Sequence, residues 1–165
     1  MDTKLLVIYL NDHLGGSMGG IELAKRTRAN NEGSEFEATL TRLVTEIQED
    51  REILIGMIET LGGRPDPIKR AIAWTVEKVA RAKPNGQLTG YSPLSRLVEF
   101  EGLMLGISGK LALWRALAAV APEEFTGIDL PELIARAERQ RDDIERSRMD
   151  AARIAFGSPG ATLAA

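Results

Sequence analysis

Between residues 36 and 61, the side chains of one helix face recur at alternating spacings of four and three. The repeat comprises Phe36, Leu40, Leu43, Ile47, Asp50, Leu54, Met57 and Leu61. Because this heptad spacing places every member on one face of an α-helix, it predicts a long helix over about 35–61 that ends at Gly62. The one charged member, Asp50, is therefore expected on the buried face.

Similar spacings predict three further long helices, over about 3–29, 93–121 and 130–156, and prolines frame a shorter helix over about 67–83. No stretch keeps the period-two alternation of a β-strand. The tail 157–165 is expected to fray. A helix of this shorter length rises about 24 Å and can carry the chain from one end of a bundle to the other. The sequence therefore predicts one all-α domain, a four-helix bundle of two antiparallel hairpins joined by a crossover helix.

Composition narrows the classes of function. A chain of 165 residues that is 44% hydrophobic can bury the core of one domain. Its net charge is −3, and basic and acidic residues are mixed along the sequence, so no basic surface for nucleic acid is expected. The absence of cysteine excludes disulfides and thiol chemistry and fits a cytoplasmic location. The apolar run before Asn11 is too short to span a membrane, and no membrane partner is expected.

Acidic residues occupy expected interior positions in EIQED (46–50), EFE (99–101) and ERQRDD (138–143). Together with the two hairpins and the crossover, this layout resembles the ferritin-like superfamily over residues 3–156. Di-iron members of that superfamily carry Glu-x-x-His on two helices, whereas here Glu46 is followed by Glu49 and Glu138 by Arg141. The resemblance implies the fold without the usual iron ligands. The segments YLNDHL, GIELA and GYSPLSRLVEFEGL also resemble a bacterial helical-bundle family with no assigned activity.

Glycines are concentrated inside two of the predicted helices, where each one costs about 0.8–1.0 kcal/mol relative to alanine. Spacings of four residues in the first helix let a neighbouring helix come close, and glycines of the third helix are the expected counterpart. The sequence therefore predicts a close helix contact. The glycines concerned are Gly15, Gly16, Gly19, Gly20, Gly106 and Gly109.

The chain has one histidine, His13, and it lies on the expected core face of the first helix. Counting outward from the turn near residue 32 puts His13 opposite Asp50, and a buried hydrogen-bonded pair is expected. A metal site is the alternative, because carboxylates with an imidazole suit iron, manganese or zinc. Its ligands would be His13 and Asp50 with Glu46, Glu22 and Glu101.

Glu101 falls on the expected core face of the third helix, at the height of Glu22 and Arg148. A buried ion network of these three side chains is the favoured interpretation, since a nearby arginine would neutralise carboxylates that a metal needs. The alternative is a carboxylate cluster of Glu22, Glu101 and Glu46 that binds metal.

No complete catalytic motif occurs, so the leading expectation is a non-catalytic bundle with a structural or interaction role that forms a homodimer. Two alternatives stay open at this point. One is a ferritin-like metal-binding or redox protein that uses the interior carboxylates and His13. The other is a carrier of a small apolar ligand, held in a cavity that the glycines leave in the middle of the bundle.

Overall fold

The computed structural model describes residues 2–66 and 91–157. In these residues it contains long α-helices and no strand, so the all-α class is confirmed. The expected helix ends differ from the observed ones by two residues at most. The crossover helix expected over 67–83 and residues 158–165 of the tail lie outside the described residues. The long helices are α1 (Thr3–Asn30), α2 (Glu37–Thr60), α3 (Pro93–Val120) and α4 (Leu130–Phe156), with a short 3₁₀ helix at Pro122–Phe125.

Local signals set the helix ends. The side chain of Ser92 accepts a hydrogen bond from the Ser95 amide at 3.0 Å, which caps α3. Asp129 caps α4 in the same way through the amide of Glu132, at 2.9 Å. Gly62 has a φ of 70°, and this left-handed backbone ends α2 where a side chain would be strained. These ends fix helix lengths that let all four elements pack side by side.

Each helix contacts two neighbours along its length. α1 packs on α2 and on α3, while α4 packs on α3 and on α2. Near the end of α1, Arg26 bonds Glu99 near the start of α3 at 2.9 Å, so these two helices are antiparallel. Arg42 of α2 pairs with Asp143 of α4, and Glu49, further along α2, pairs with Arg136, earlier in α4, so these helices are antiparallel as well. Consequently α2 and α3 lie on a diagonal and point in the same direction.

The buried apolar side chains form two groups, one at each end of the helices. The first core cluster joins the start of α1 to the end of α2 and α3; its largest members are Leu10, Leu14, Met57, Trp114 and Leu117. The second core cluster lies at the opposite end, around Phe36, Leu40, Leu43, Phe100, Leu103 and Ile144. Burial of a large apolar side chain contributes about 1.5–3 kcal/mol, so these clusters supply most of the folding free energy.

The core face of α3 differs from the expected one. Its buried line runs through Leu97, Phe100, Leu103, Ile107, Leu111, Trp114 and Leu117. Glu101 is half exposed, at 50% of its side chain, so its expected core position is wrong. The physical reason is that α3 carries apolar residues on several faces, and its spacing alone does not single out the one that packs.

The same apolar character gives α3 a mean hydropathy of 1.4 over its most apolar window. By length and composition this helix could cross a membrane, a property that it shares with core helices of helical bundles. In the described ranges, no other helix meets that criterion.

Candidate functional site

A cavity of about 600 Å³ lies between the two core clusters, among α1, α2 and α3. Its volume falls within the range of about 300–1,000 Å³ that is typical of small-molecule sites. Apolar side chains such as Ile21, Leu43 and Leu103 form most of its wall. The remaining wall is unusual in its content of glycine: Gly16 and Gly20 from α1, and Gly102, Gly106 and Gly109 from α3.

The glycines leave space instead of allowing close contact. A Cβ atom added to Gly16, Gly20, Gly106 or Gly109 would meet nothing within 4 Å, so the expected close approach is wrong at these four positions. At Gly102 the added Cβ would lie 2.9 Å from Leu23 Cδ2. Leu23 of α1 thus packs closely on Gly102 of α3, whereas the other four glycines border open space. Gly15 is buried and Gly19 is half-buried, and for these two a close contact remains a prediction.

Polar side chains line the cavity at the end next to the first core cluster. They are Asp12 and His13 of α1, Asp50 and Arg51 of α2, and Lys110 of α3. At this end Lys110 is bonded to Asp50, and Arg51 Nη1 lies 2.9 Å from Glu52 Oε1. The cavity therefore has one polar end and one end formed by apolar side chains and glycine.

His13 is part of the cavity wall but is not bonded to Asp50, so the expected hydrogen-bonded pair is wrong. Its ring packs edge-on against Tyr9, with ring centroids 4.8 Å apart. In the described part of the chain no hydrogen bond reaches either ring nitrogen. Burial lowers the pKa of His13 below its ordinary value, and the charge of Asp12 partly opposes that effect. The ring is therefore neutral at neutral pH and offers one donor and one acceptor.

Asp50 instead belongs to a buried ion cluster formed by Asp50, Lys110, Arg136, Gln140 and Glu46. Asp50 is 3% exposed and accepts a hydrogen bond from Lys110, which also donates to Gln140 Oε1. Arg136 Nη2 lies 2.9 Å from Asp50 Oδ1, close enough for an ion pair although Oδ1 accepts no hydrogen bond. Burial lowers the pKa of Lys110, and Asp50 opposes this shift. Asp50 is thus satisfied by cations of α3 and α4, which explains why His13 is not its partner.

Lys110, Arg136 and Gln140 were not expected to form a buried cluster. A signal was present in each case. Lys110 is the one cation within the apolar stretch GLMLGISGKLALW of α3. Arg136 and Gln140 are four residues apart and share a face of α4.

The expected network of Glu22, Glu101 and Arg148 is not formed as a unit. Glu22 is exposed and pairs with Lys25 at 3.4 Å within its own helix. Arg148 makes two hydrogen bonds to Glu145 and reaches Glu101 only at 3.9 Å. These groups lie at the surface because the faces of α1 and α3 that carry Glu22 and Glu101 turn away from the core, and this part of the prediction is wrong.

The alternative metal site is not assembled either. In residues 2–66 and 91–157 no three side chains of the types that bind metal come together. The candidates His13, Asp50, Glu46, Glu22 and Glu101 are dispersed, and cations of the ion cluster already neutralise Asp50. The described residues therefore provide no ligand set for iron, manganese or zinc.

Comparison with known proteins adds no functional information. No protein-family model, no characterised protein and no solved structure matches this chain. The candidate function therefore depends on the geometry of the cavity and of the ion cluster.

Proposed function

We propose that this chain is a non-catalytic helical-bundle protein that carries a small, mostly apolar molecule in the glycine-lined cavity. The observation that carries the proposal is the empty Cβ space at Gly16, Gly20, Gly106 and Gly109. Each glycine inside a helix costs about 0.8–1.0 kcal/mol relative to alanine. All four glycines also line the cavity, with Gly106 at its solvent-exposed side, so the proposed gain is the open volume beside them.

The walls of the cavity suit an apolar guest. Ile21, Leu43, Ile47, Leu54 and Leu103 surround the space, and a ligand there would exchange water for hydrocarbon contacts. Each buried methylene contributes about 0.8 kcal/mol to binding. At the glycines the helix backbone itself forms the wall of the cavity. A ligand can therefore enter there without displacing a side chain.

The test is calorimetric titration with 1-decanol and toluene, together with the melting temperature at saturation. A ligand present at about 100 times its dissociation constant stabilises the fold by about 2.7 kcal/mol. Gly106→Leu fills the cavity and should abolish binding. The matched control is Gly56→Leu in α2, because Gly56 is also a helix glycine with open space at its Cβ position but does not line the cavity. Equal binding by both variants would contradict the proposal.

A structural role as a homodimer is the second candidate, and an exposed face of α3 supports it. Val98, Leu105, Ala112 and Ala119 follow one another every seventh residue and are all exposed. On the same side, Glu101 and Arg115 lie equally far from Ser108 in sequence, and within one chain they are near Arg148 at 3.9 Å and Glu138 at 2.6 Å respectively. A two-fold axis near Ser108 would place two α3 helices antiparallel and bring Glu101 of each copy near Arg115 of the other. Charge complementarity thus favours a second copy as the partner.

Light scattering during gel filtration tests this dimer. The wild-type chain is expected at twice its mass of 18.0 kDa, and Leu105→Lys should reduce it to a single copy. A wild-type protein that stays monomeric at high concentration would exclude the interface.

The overall arrangement is proposed to be ferritin-like, and the parallel direction of α2 and α3 on one diagonal supports this. Such a layout needs one long crossover between the two hairpins. A cytoplasmic location also remains a prediction, supported by the absence of cysteine.

A further inference from the structure

The charged groups at the polar end of the cavity already have partners. Lys110 is paired with Asp50, and Arg51 Nη1 with Glu52, while Arg51 Nε has no hydrogen-bond acceptor in the described residues. Asp12 also has an interaction partner. A ligand that enters here therefore meets no unpaired charge that would repay the desolvation of an ionised group.

His13 differs from these groups because neither of its ring nitrogens has a hydrogen-bond partner in the described ranges, whereas each charged side chain here has at least one partner. Ser17, the neighbouring hydroxyl on the wall, donates to the carbonyl of Leu14 at 2.7 Å. The ring of His13 is held on one side by Tyr9. A neutral imidazole next to an apolar space is suited to a partner that both donates and accepts one hydrogen bond.

From His13 the cavity extends along α1 past Gly16 and Gly20 to Ile21. The eight steps of helix from His13 to Ile21 rise roughly 12 Å. At roughly 1.2 Å per bond of an extended chain, that length holds about ten carbon–carbon bonds. The space therefore fits a medium-length hydrocarbon tail whose head group lies at His13.

We propose that the ligand is an uncharged amphiphile whose hydroxyl or carbonyl head bonds to His13 and whose hydrocarbon tail lies against Gly16, Gly20 and Gly106. This inference rests on the proposed function, because it names the chemical class of molecule that the same cavity carries. His13 is the residue that sets the specificity for the head group.

The first experiment uses the wild-type chain labelled with ¹⁵N at histidine and at glycine, titrated with 1-octanol, 1-decanol and decanoate. Because His13 is the sole histidine of the sequence, its ring signals are assigned without variants. We expect 1-decanol to shift both the His13 ring nitrogens and the amide of Gly106. It should bind about 15-fold more tightly than 1-octanol, since two methylenes are added, and more tightly than decanoate.

The outcomes separate the two proposals. If no probe shifts Gly106, the proposed carrier function itself fails. If the probes shift Gly106 but leave the His13 ring unchanged, or if decanoate binds more tightly than 1-decanol, the carrier function stands and the uncharged head group is overturned.

A second experiment tests the role of His13 by substitution. His13→Leu should weaken 1-decanol binding about five-fold, the value of one neutral hydrogen bond, and leave toluene binding unchanged. His13→Gln keeps a donor and an acceptor and should restore most of the affinity for 1-decanol. Equal weakening for toluene and 1-decanol in His13→Leu would show that His13 acts through the shape of the cavity and would overturn the inference.

Discussion

The two ends of the helices and the layer between them are built in opposite ways. Each end is an apolar cluster around large, fully buried side chains such as Trp114 and Phe100. The middle layer instead contains the cavity and the buried ion cluster. Three of the four buried side-chain atoms without a hydrogen-bond partner in the described residues also lie there: Asp50 Oδ1, Arg51 Nε and Arg136 Nε. The fourth, Trp114 Nε1, belongs to the first core cluster where that cluster borders the cavity.

This difference indicates that the ends and the middle layer have different roles. Unpaired buried polar atoms cost about 1–3 kcal/mol each, and each helix glycine costs about a further 0.8–1.0 kcal/mol. The middle layer therefore reduces the stability of the fold, whereas the two ends provide it. Proteins commonly concentrate such local costs at functional sites. The middle layer is therefore the part of the molecule in which a function is expected, and substitutions there should behave differently from substitutions at the ends.

The largest effect is expected at an end. Phe100 is fully buried and packs edge-on against Phe36, with ring centroids 5.3 Å apart. Phe100→Ala removes this packing and leaves a void, and it should destabilise the fold by about 4 kcal/mol in urea denaturation. A loss below about 1 kcal/mol would mean that the ends do not supply the stability.

The ion cluster should show the next largest effect. Lys110→Met leaves Asp50 buried without its nearest cation and should cost about 3 kcal/mol, towards the lower end of the range for broken buried pairs. Adding Asp50→Leu removes the stranded carboxylate, so the double variant should recover most of that loss. If the losses of stability in the two single variants instead add up in the double variant, Lys110 and Asp50 are not coupled.

Substitution of the cavity glycines should raise stability. Gly106→Ala gains about 0.9 kcal/mol of helix propensity, since its Cβ enters open space. Gly102→Ala on the same helix is the matched control, and its gain should be smaller because its Cβ meets Leu23 at 2.9 Å. Thermal denaturation measures both variants. Destabilisation by Gly106→Ala would show that no open space exists there.

The smallest effect concerns pH. Burial lowers the pKa of His13 below its ordinary value of 6.5. Below that value the unfolded chain binds more protons at this site than the fold does, so the contribution of His13 to stability falls as the solution becomes more acidic. His13→Gln should therefore flatten the decline in melting temperature between about pH 7 and pH 5. A decline as steep as in the wild type would contradict the lowered pKa.

The sequence predicts the helices well because capping residues, prolines and glycine ends are local signals. It also predicts the burial of Asp50, because the heptad of α2 has only one apolar face. It does not predict the core face of α3, since that helix is apolar on several faces. Nor could it choose Lys110 over His13 as the partner of Asp50, because that choice depends on the rotation of α3.

The glycines illustrate the same limit. Their cost in a helix is visible in the sequence, but close approach and an open cavity both explain why Gly16 and Gly106 are tolerated. The distance between α1 and α3 decides between the two explanations. That distance depends on how the two helices pack along their whole length, so the spacing of the glycines alone could not reveal it.

The most direct test of the cavity is diffraction from crystals pressurised with xenon, an atom that binds in apolar cavities. We expect xenon density bordered by Gly16, Gly20 and Gly106, and weaker or no density there in Gly106→Leu. Wild-type crystals with no xenon between α1 and α3, and with other atoms packed against Gly106, would contradict this expectation.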